Sequence, residues 1–208
     1  MQQESGRRSN RDRTEATRSD LIRAARKLFT EKSYAETGTP EIVAEAGVTR
    51  GALYHHFADK QALFAAVAEQ EAAAVAAEID DAAPPSLVPR DALIAGSDAY
   101  LAAMRLPGRT RLLLLDGPAV LGRVAMDAID NRHGNRSLRE GLVAAMRAQA
   151  ITRLPVEALT ALLAAAFDRA ALAIEAGGSA EDYRAVLMAL TDGLAPVPHR
   201  APAPARTR

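Results

Sequence analysis

Side chains that could bind nucleic acid are concentrated in one short stretch of the 208-residue chain, between Thr39 and Lys60. The stretch carries hydroxyl, guanidinium, phenol, imidazole and amine groups, which donate hydrogen bonds to phosphate oxygens and base edges. Lys60 adds a positive amine for a phosphate, and small residues between the donors would let a helix backbone approach a groove closely. The residues predicted to face a DNA groove are Thr49, Arg50, Gly51, Ala52, Tyr54 and His55.

Two short predicted helices joined by a turn must position these side chains. Thr39, followed by Pro40 and Glu41, is typical of a helix start, and this helix runs to about Ala46. Gly47 then interrupts the pattern, and Thr49 can cap a second helix that reaches Phe57. Helix, glycine-containing turn and helix are the parts of a helix-turn-helix unit, whose second helix protrudes towards DNA.

Residues 14–64 resemble the DNA-binding domain of TetR/AcrR-type transcriptional regulators, above all in the string GVTRGALYHHFADKQALF over residues 47–64. The turn glycine, the aromatic pair and the trailing lysine all stand in the family's register. The resemblance assigns Phe57 to the core and implies DNA contacts by Thr39, Arg50, Tyr54, His55 and Lys60. The sequence departs from the family pattern at Val43, where Ala is usual, and at Ser33, where Gly often ends the first helix.

Helical periodicity continues along the chain, and no segment alternates apolar and polar residues as a strand would. We therefore expect an all-α fold, with helices at 15–31, 39–46, 49–57 and from 59 to the Pro84-Pro85 pair, then at 89–106, 109–115, 119–132, 136–150, 156–176 and 179–193. The expected division is a disordered N-terminal arm (1–13), a helix-turn-helix domain (14–60), a helical regulatory and dimerisation domain (61–194) and a disordered Pro/Ala/Arg tail (195–208).

Family resemblance further implies a homodimer, built from the last two long helices of each subunit. Apolar stripes on the predicted helices suit such a four-helix bundle. The predicted interface comprises Leu159, Leu162, Leu163, Ala166, Phe167, Ala170, Tyr183, Val186, Leu187 and Leu190.

The resemblance also implies a cavity for a small effector between the helices of the larger domain. Its predicted lining is Tyr100, Met104, Leu113 and Phe167, with Asp116 as a polar anchor, and an apolar or amphipathic effector is favoured. Asp116 has an alternative interpretation, as the cap of the helix that begins at Gly117.

Composition excludes several classes of protein. The net charge is zero, 49% of the residues are hydrophobic, and cysteine is absent, so disulfides and cysteine chemistry are excluded. No apolar run approaches the roughly 18 to 20 residues of a membrane helix, and the Arg-rich start is not a secretory signal. We expect a cytoplasmic protein without membrane association, catalytic residues or cofactor, because no nucleophile, metal-protease or phosphate-loop motif is found.

Two other clusters allow more than one interpretation. Asp127, Asp130 and His133 could ligate a divalent ion, but His133 also suits a solvated helix end, and we predict no metal. Arginines near the N-terminus could enter a minor groove or belong to a solvated tail.

The sequence and the family resemblance therefore predict a dimeric, ligand-responsive transcriptional repressor that binds double-stranded operator DNA. A helical scaffold protein that has lost DNA binding, and an enzyme with unfamiliar side chains, remain as alternatives.

Overall fold

A computed structural model describes residues 3–196, and over this range the chain is helical without a β-strand. The all-α prediction is confirmed. The helices are α1 (Gln3–Lys32), α2 (Thr39–Ala46), α3 (Arg50–His56), α4 (Lys60–Ala82), α5 (Pro89–Met104), α6 (Gly117–Leu121), α7 (Arg123–Arg132), α8 (Gly134–Arg147), α9 (Val156–Glu175) and α10 (Ala180–Asp192), with a π-helical segment at Arg111–Asp116 before α6.

The N-terminal domain packs α1, α2, α3 and the start of α4 around an apolar core. Leu21, Phe29, Ile42, Leu53 and Phe64 are all fully buried there. The rings of Phe29 and Phe64 meet edge to face, with centroids 5.3 Å apart. This core fixes the angle at which α2 and α3 leave α1.

The start of α1 differs from the prediction. The first helix was expected at residue 15 after a disordered arm over residues 1–13, but in the structure it begins at Gln3. Residues 7–32 contain no glycine or proline, so nothing ends the helix as it extends from its buried part towards the N-terminus.

Helix α4 connects the two halves of the molecule. Its residues up to Val67 belong to the N-terminal core, whereas Ala68, Ala72 and Val75 belong to a second core with α5, α7 and α9. The change of core therefore falls after Val67, inside the helix, rather than at the expected boundary at residue 60. Leu112, which belongs to the π-helical segment, packs in the N-terminal core.

Two further details correct the sequence prediction. The helix expected at 119–132 is two helices, because Gly122 (φ 82°) separates α6 from α7. The helix expected at 109–115 is the π-helical segment. The predicted disordered tail lies, from residue 197 on, outside the described residues. None of the helices over residues 3–196 is both long and apolar enough to cross a membrane.

Candidate DNA-binding surface and effector cavity

The turn between α2 and α3 is built from local signals. Gly47 ends α2 with a left-handed φ of 66°, a conformation that glycine adopts without steric cost. The Thr49 hydroxyl oxygen accepts a hydrogen bond from the Ala52 backbone N–H at 3.2 Å and so caps α3. Val43, the family departure in α2, is half-buried and packs against the core without disturbing this turn.

Helix α3 is anchored on one side and open on the other. Leu53 is fully buried, and Phe57 directly after the helix is 5% exposed, which agrees with its expected place in the core. The opposite side is solvent-exposed at Thr49, Arg50, Gly51, Tyr54 and His55, with Ala52 half-buried between the two faces. The structure thus brings the sequence-predicted groove residues together on one exposed helix face.

Thr39, Arg50 and Tyr54 form a small cluster that joins α2 to α3. The Arg50 guanidinium carbon lies 5.5 Å from the centre of the Tyr54 ring, one turn along the helix. A hydrogen bond from the Thr39 side chain, with a second from Arg50, lowers the pKa of the Tyr54 hydroxyl. The cluster holds one positive group and two hydroxyls in a fixed arrangement at the surface.

Lys60 is placed differently from the expectation. Its ammonium donates hydrogen bonds to the backbone carbonyls of Tyr34 (2.9 Å) and Thr37 (3.0 Å) and lies 4.1 Å from the centre of the Tyr34 ring. Two of its three N–H donors are thereby used inside the subunit. At most one remains for a phosphate, so Lys60 mainly ties α4 to the loop after α1.

A cavity of about 730 Å³ lies in the larger domain, between α4, α5, α7, α8 and α9. Of the five residues predicted to line it, Tyr100, Met104, Leu113 and Phe167 do so. The Tyr100 and Phe167 rings meet edge to face, with centroids 5.7 Å apart. The cavity has the volume of a site for a drug-sized molecule.

Asp116 is the exception, because it is not part of the cavity wall. Its Oδ2 lies 3.5 Å from Arg111 Nε and accepts no hydrogen bond. It does not cap α6 through its side chain either, so both interpretations of this residue were wrong. Because α6 follows the π-helical segment without a break at Gly117, the start of α6 is not a free helix end that needs a cap.

Sequence reasoning missed the acidic part of the cavity wall. Asp130 of α7 and Asp168 of α9 both line it, and the Tyr100 hydroxyl donates a 2.6 Å hydrogen bond to Asp168 Oδ1. Burial raises the pKa of Asp130 to about 6. Burial also raises the pKa of Asp168, in spite of the Tyr100 hydrogen bond, and raises the pKa of Tyr100 well above its usual value. The available sequence signal was Asp168, a carboxylate in the middle of the Ala/Leu-rich helix α9, which could have indicated a polar group in the cavity.

His133 does not join Asp127 and Asp130 in a metal site. Its Nε2 lies 2.7 Å from Glu69 Oε1 on α4, and Asp127 pairs with Arg123 at 3.3 Å. Among the described residues, no three His, Cys, Asp or Glu side chains are arranged to hold a metal ion.

The predicted dimer residues divide into three groups by their exposure. Leu162, Val186 and Leu190 are 72%, 58% and 51% exposed. Four others are half-buried, namely Leu159, Leu163, Ala166 and Tyr183, whereas Phe167, Ala170 and Leu187 form a core within the subunit. Only part of the predicted stripe therefore faces outward.

A short exposed helix follows a tight turn, on a domain that one long helix joins to a second helical domain. This architecture places the chain in the class of helix-turn-helix DNA-binding proteins. Comparison with known proteins leads to the same class. Residues 21–67 match the family model for bacterial regulatory proteins of the tetR family, and residues 90–195 match that for the tetracyclin repressor-like C-terminal domain. The chain belongs to the TetR family, and it matches proteins that are named as transcriptional regulators and repressors.

Individual relatives are similar to different extents. The crystal structure of a TetR-family transcriptional regulator from Pectobacterium atrosepticum is 32% identical with a TM-score of 0.72, covering 89% of this chain and 97% of that one. RolR in complex with the ligand resorcinol shares the fold at 23% identity and a TM-score of 0.63, over 90% of this chain and 91% of that one. The transcriptional repressor AcnR of Corynebacterium efficiens is 33% identical over 70 residues, which are 34% of this chain and 37% of AcnR. The chain thus matches little more than a third of that curated relative's length.

Proposed function

We propose that this protein is a dimeric transcriptional repressor that binds a near-palindromic operator through α3 and is released from it by a small apolar or amphipathic effector. The exposed face of α3 is the observation that carries the proposal. It presents Thr49, Arg50, Tyr54 and His55 outward while Leu53 anchors the helix behind them. The proposed site of action is the cytoplasm, where bacterial DNA lies.

The side chains of this face suit different parts of a DNA duplex. Arg50 stands at the first position of α3, from which a guanidinium can reach a guanine edge in the major groove. Hydroxyl groups and a ring nitrogen that can bind phosphates are provided by Thr39, Thr49, Tyr54 and His55. The small side chains of Gly51 and Ala52 allow the helix backbone to approach the DNA closely. Lys60 can add one donor to a phosphate.

Fluorescence anisotropy with DNA from upstream of the gene, at several salt concentrations, tests DNA binding. We expect Tyr54→Ala to weaken binding to all sequences and Arg50→Ala also to relax base preference, by about 1 to 3 kcal/mol. Arg139→Ala, which removes a half-exposed arginine of α8, is the control. Binding of both α3 variants equal to that of the parent would overturn the proposal and favour the helical scaffold.

The exposed apolar side chains of α9 and α10 support the dimer. Leu162, Val186 and Leu190 expose large apolar surface on two adjacent helices, a pattern that favours burial against a second copy. A dimer would place two α3 helices about 34 to 36 Å apart, one turn of DNA, and so require a near-palindromic operator.

The contacts around α4 support effector control. Ala72, Val75 and Ile79 of α4 line the cavity, while Lys60 at its first turn holds the loop before α2. An effector that moves the cavity end of α4 would thus tilt the DNA-binding end. The resorcinol complex of RolR is a precedent for a small ligand on this fold.

A buried ion-pair cluster adds a second connection between the domains. Glu71 of α4 accepts hydrogen bonds from Arg26 of α1 at 2.7 Å and from Arg109, just before the π-helical segment, at 3.0 Å. Arg109 and Glu71 are 4% and 5% exposed, so the pair that they form is shielded from solvent. A shift of the segment around Arg109 would be transmitted to α1 through this cluster.

A further inference from the structure

The charges on the cavity wall are unevenly paired. Its two cationic side chains are already engaged, Arg123 with Asp127 at 3.3 Å, and Arg136 with Asp80 at 2.8 Å. Arg136 also contacts Glu140 at 3.2 Å. Neither arginine makes an ion pair with the remaining carboxylates of the cavity.

Those remaining carboxylates are Asp130 and Asp168. The Asp168 carboxylate accepts one hydrogen bond, from Tyr100, and the Asp130 carboxylate makes no hydrogen bond or ion pair with any described residue. An unpaired carboxylate in a partly desolvated site is costly, and two close together repel each other. Burial raises the pKa of Asp130 to about 6, and the negative charges of Asp168 and Asp127 add to this rise, although Arg123 and His133 act against it.

The rest of the wall is mainly apolar. Val75 and Ile79 lie on one side, and Met104 and Phe167 on another. Ser137 contributes a hydroxyl oxygen that is buried and has no hydrogen-bond partner. A buried polar atom without a partner is uncommon in folded proteins, and a ligand donor would satisfy it.

We propose that the cavity binds an amphipathic cation, a protonated amine on an apolar body, whose ammonium group is held by Asp130 and Asp168. The inference rests on the proposed function only in taking this cavity as the effector site. A neutral compound would leave both carboxylates unpaired, and an anion would be repelled by them. The apolar body would pack against the α4 side of the cavity.

Isothermal titration calorimetry with three compounds of one chain length tests the charge selectivity. Decylammonium, decan-1-ol and decanoate share their apolar chain and differ in head group, and all three are titrated at pH 7.5 below their micelle concentrations. We expect decylammonium to bind roughly 10- to 100-fold more tightly than decan-1-ol, and decanoate to bind weakest.

Two isosteric variants locate the head group. Asp130→Asn and Asp168→Asn should each weaken decylammonium binding roughly tenfold or more and leave decan-1-ol binding unchanged. Asp168→Asn keeps an oxygen that accepts the Tyr100 hydrogen bond. Asp81→Asn removes an exposed carboxylate of α4 outside the cavity and serves as the control, with no change expected.

The pH dependence of decylammonium binding provides an independent test. Decylammonium binding should strengthen as the pH rises from 5 to 7.5, because the raised pKa of Asp130, about 6, is crossed in this interval and the residue becomes charged. The groups facing Asp130 are Asp168 of α9, Tyr100 of α5, and Arg123, Asp127 and His133 of its own stretch. The binding of decan-1-ol, which carries no charge, should stay constant over this interval.

The outcomes separate this inference from the proposed function. Equal or tighter binding of decan-1-ol or decanoate, or unchanged binding in both asparagine variants, overturns the cation site. Absence of binding by all three compounds also overturns it. In each case operator binding, measured separately, still decides whether the protein is a DNA-binding repressor.

Discussion

Removing the charge of Glu71 should destabilise the whole fold. The Glu71→Gln variant keeps the size of the side chain but leaves Arg109, 4% exposed, beside a neutral amide. Burial by itself raises the pKa of Glu71, but the hydrogen bonds from Arg26 and Arg109 outweigh it and lower that pKa below its ordinary value. The folded state therefore favours the charged form, and the variant loses this stabilisation.

The expected loss is about 3 to 5 kcal/mol, the typical result of removing one partner from a buried ion pair. For a domain of this size each kcal/mol lowers the melting temperature by about 2 to 4 °C, so we expect a decrease of roughly 6 to 20 °C. Thermal unfolding followed by circular dichroism at one protein concentration measures it.

Glu78→Gln is a matched control on the same helix. Glu78 also contacts Arg109, at 2.9 Å, but its side chain is 50% exposed, so its loss should cost no more than about 1 kcal/mol. Because the pKa of Glu71 is lowered on folding, its contribution to stability is present above the ordinary glutamate pKa of 4.5 and is lost as the pH falls through the folded-state pKa. The difference between parent and Glu71→Gln should therefore shrink in acid. Equal melting temperatures for Glu71→Gln and Glu78→Gln at neutral pH would refute the reasoning.

Three further predictions concern backbone, domain contact and assembly. Ser33 has a left-handed φ of 101°, so Ser33→Gly should raise the unfolding free energy by about 0.5 to 1 kcal/mol in urea titration, and a decrease would contradict a strained backbone there. A Cβ at Gly108 would lie 2.3 Å from Thr30 Cγ2 across the domain boundary, so Gly108→Ala should destabilise by about 1 to 3 kcal/mol, with partial recovery by Thr30→Ala. Leu162→Arg should give monomers in light scattering because Leu162 is 72% exposed in the subunit, whereas Leu163→Arg should damage the subunit itself, since Leu163 packs against two cores. A dimeric Leu162→Arg protein would move the interface elsewhere.

The helix-turn-helix could be predicted closely because its signals are local. Pro40, Gly47 and Thr49 start, end and cap helices within a few residues of themselves, and the observed boundaries lie within a residue or two of the expected ones. The four successive leucines before Asp116 carry no such signal. Leu112 packs into one core and Leu113 into the other, so tertiary packing decides that this segment is π-helical.

The cavity could be predicted only in part for the same reason. Tyr100 and Phe167 stand out as aromatic residues in helices otherwise rich in Ala and Leu. Asp130 and Asp168 line the cavity from different helices, and Lys60 donates to backbone carbonyls 26 and 23 residues earlier in the chain. Contacts between residues so far apart depend on the folded arrangement, which spacing alone does not encode.

Footprinting of the protein on DNA from upstream of its gene tests the central claim most directly. Hydroxyl-radical cleavage should show two protected half-sites, related by a near-palindrome and centred about 10 to 10.5 base pairs apart or a multiple of that distance. The Leu162→Arg variant should give no protection. The Arg50→Ala variant should protect DNA without sequence preference. A single protected site, or protection without sequence preference by the parent protein, would contradict the account.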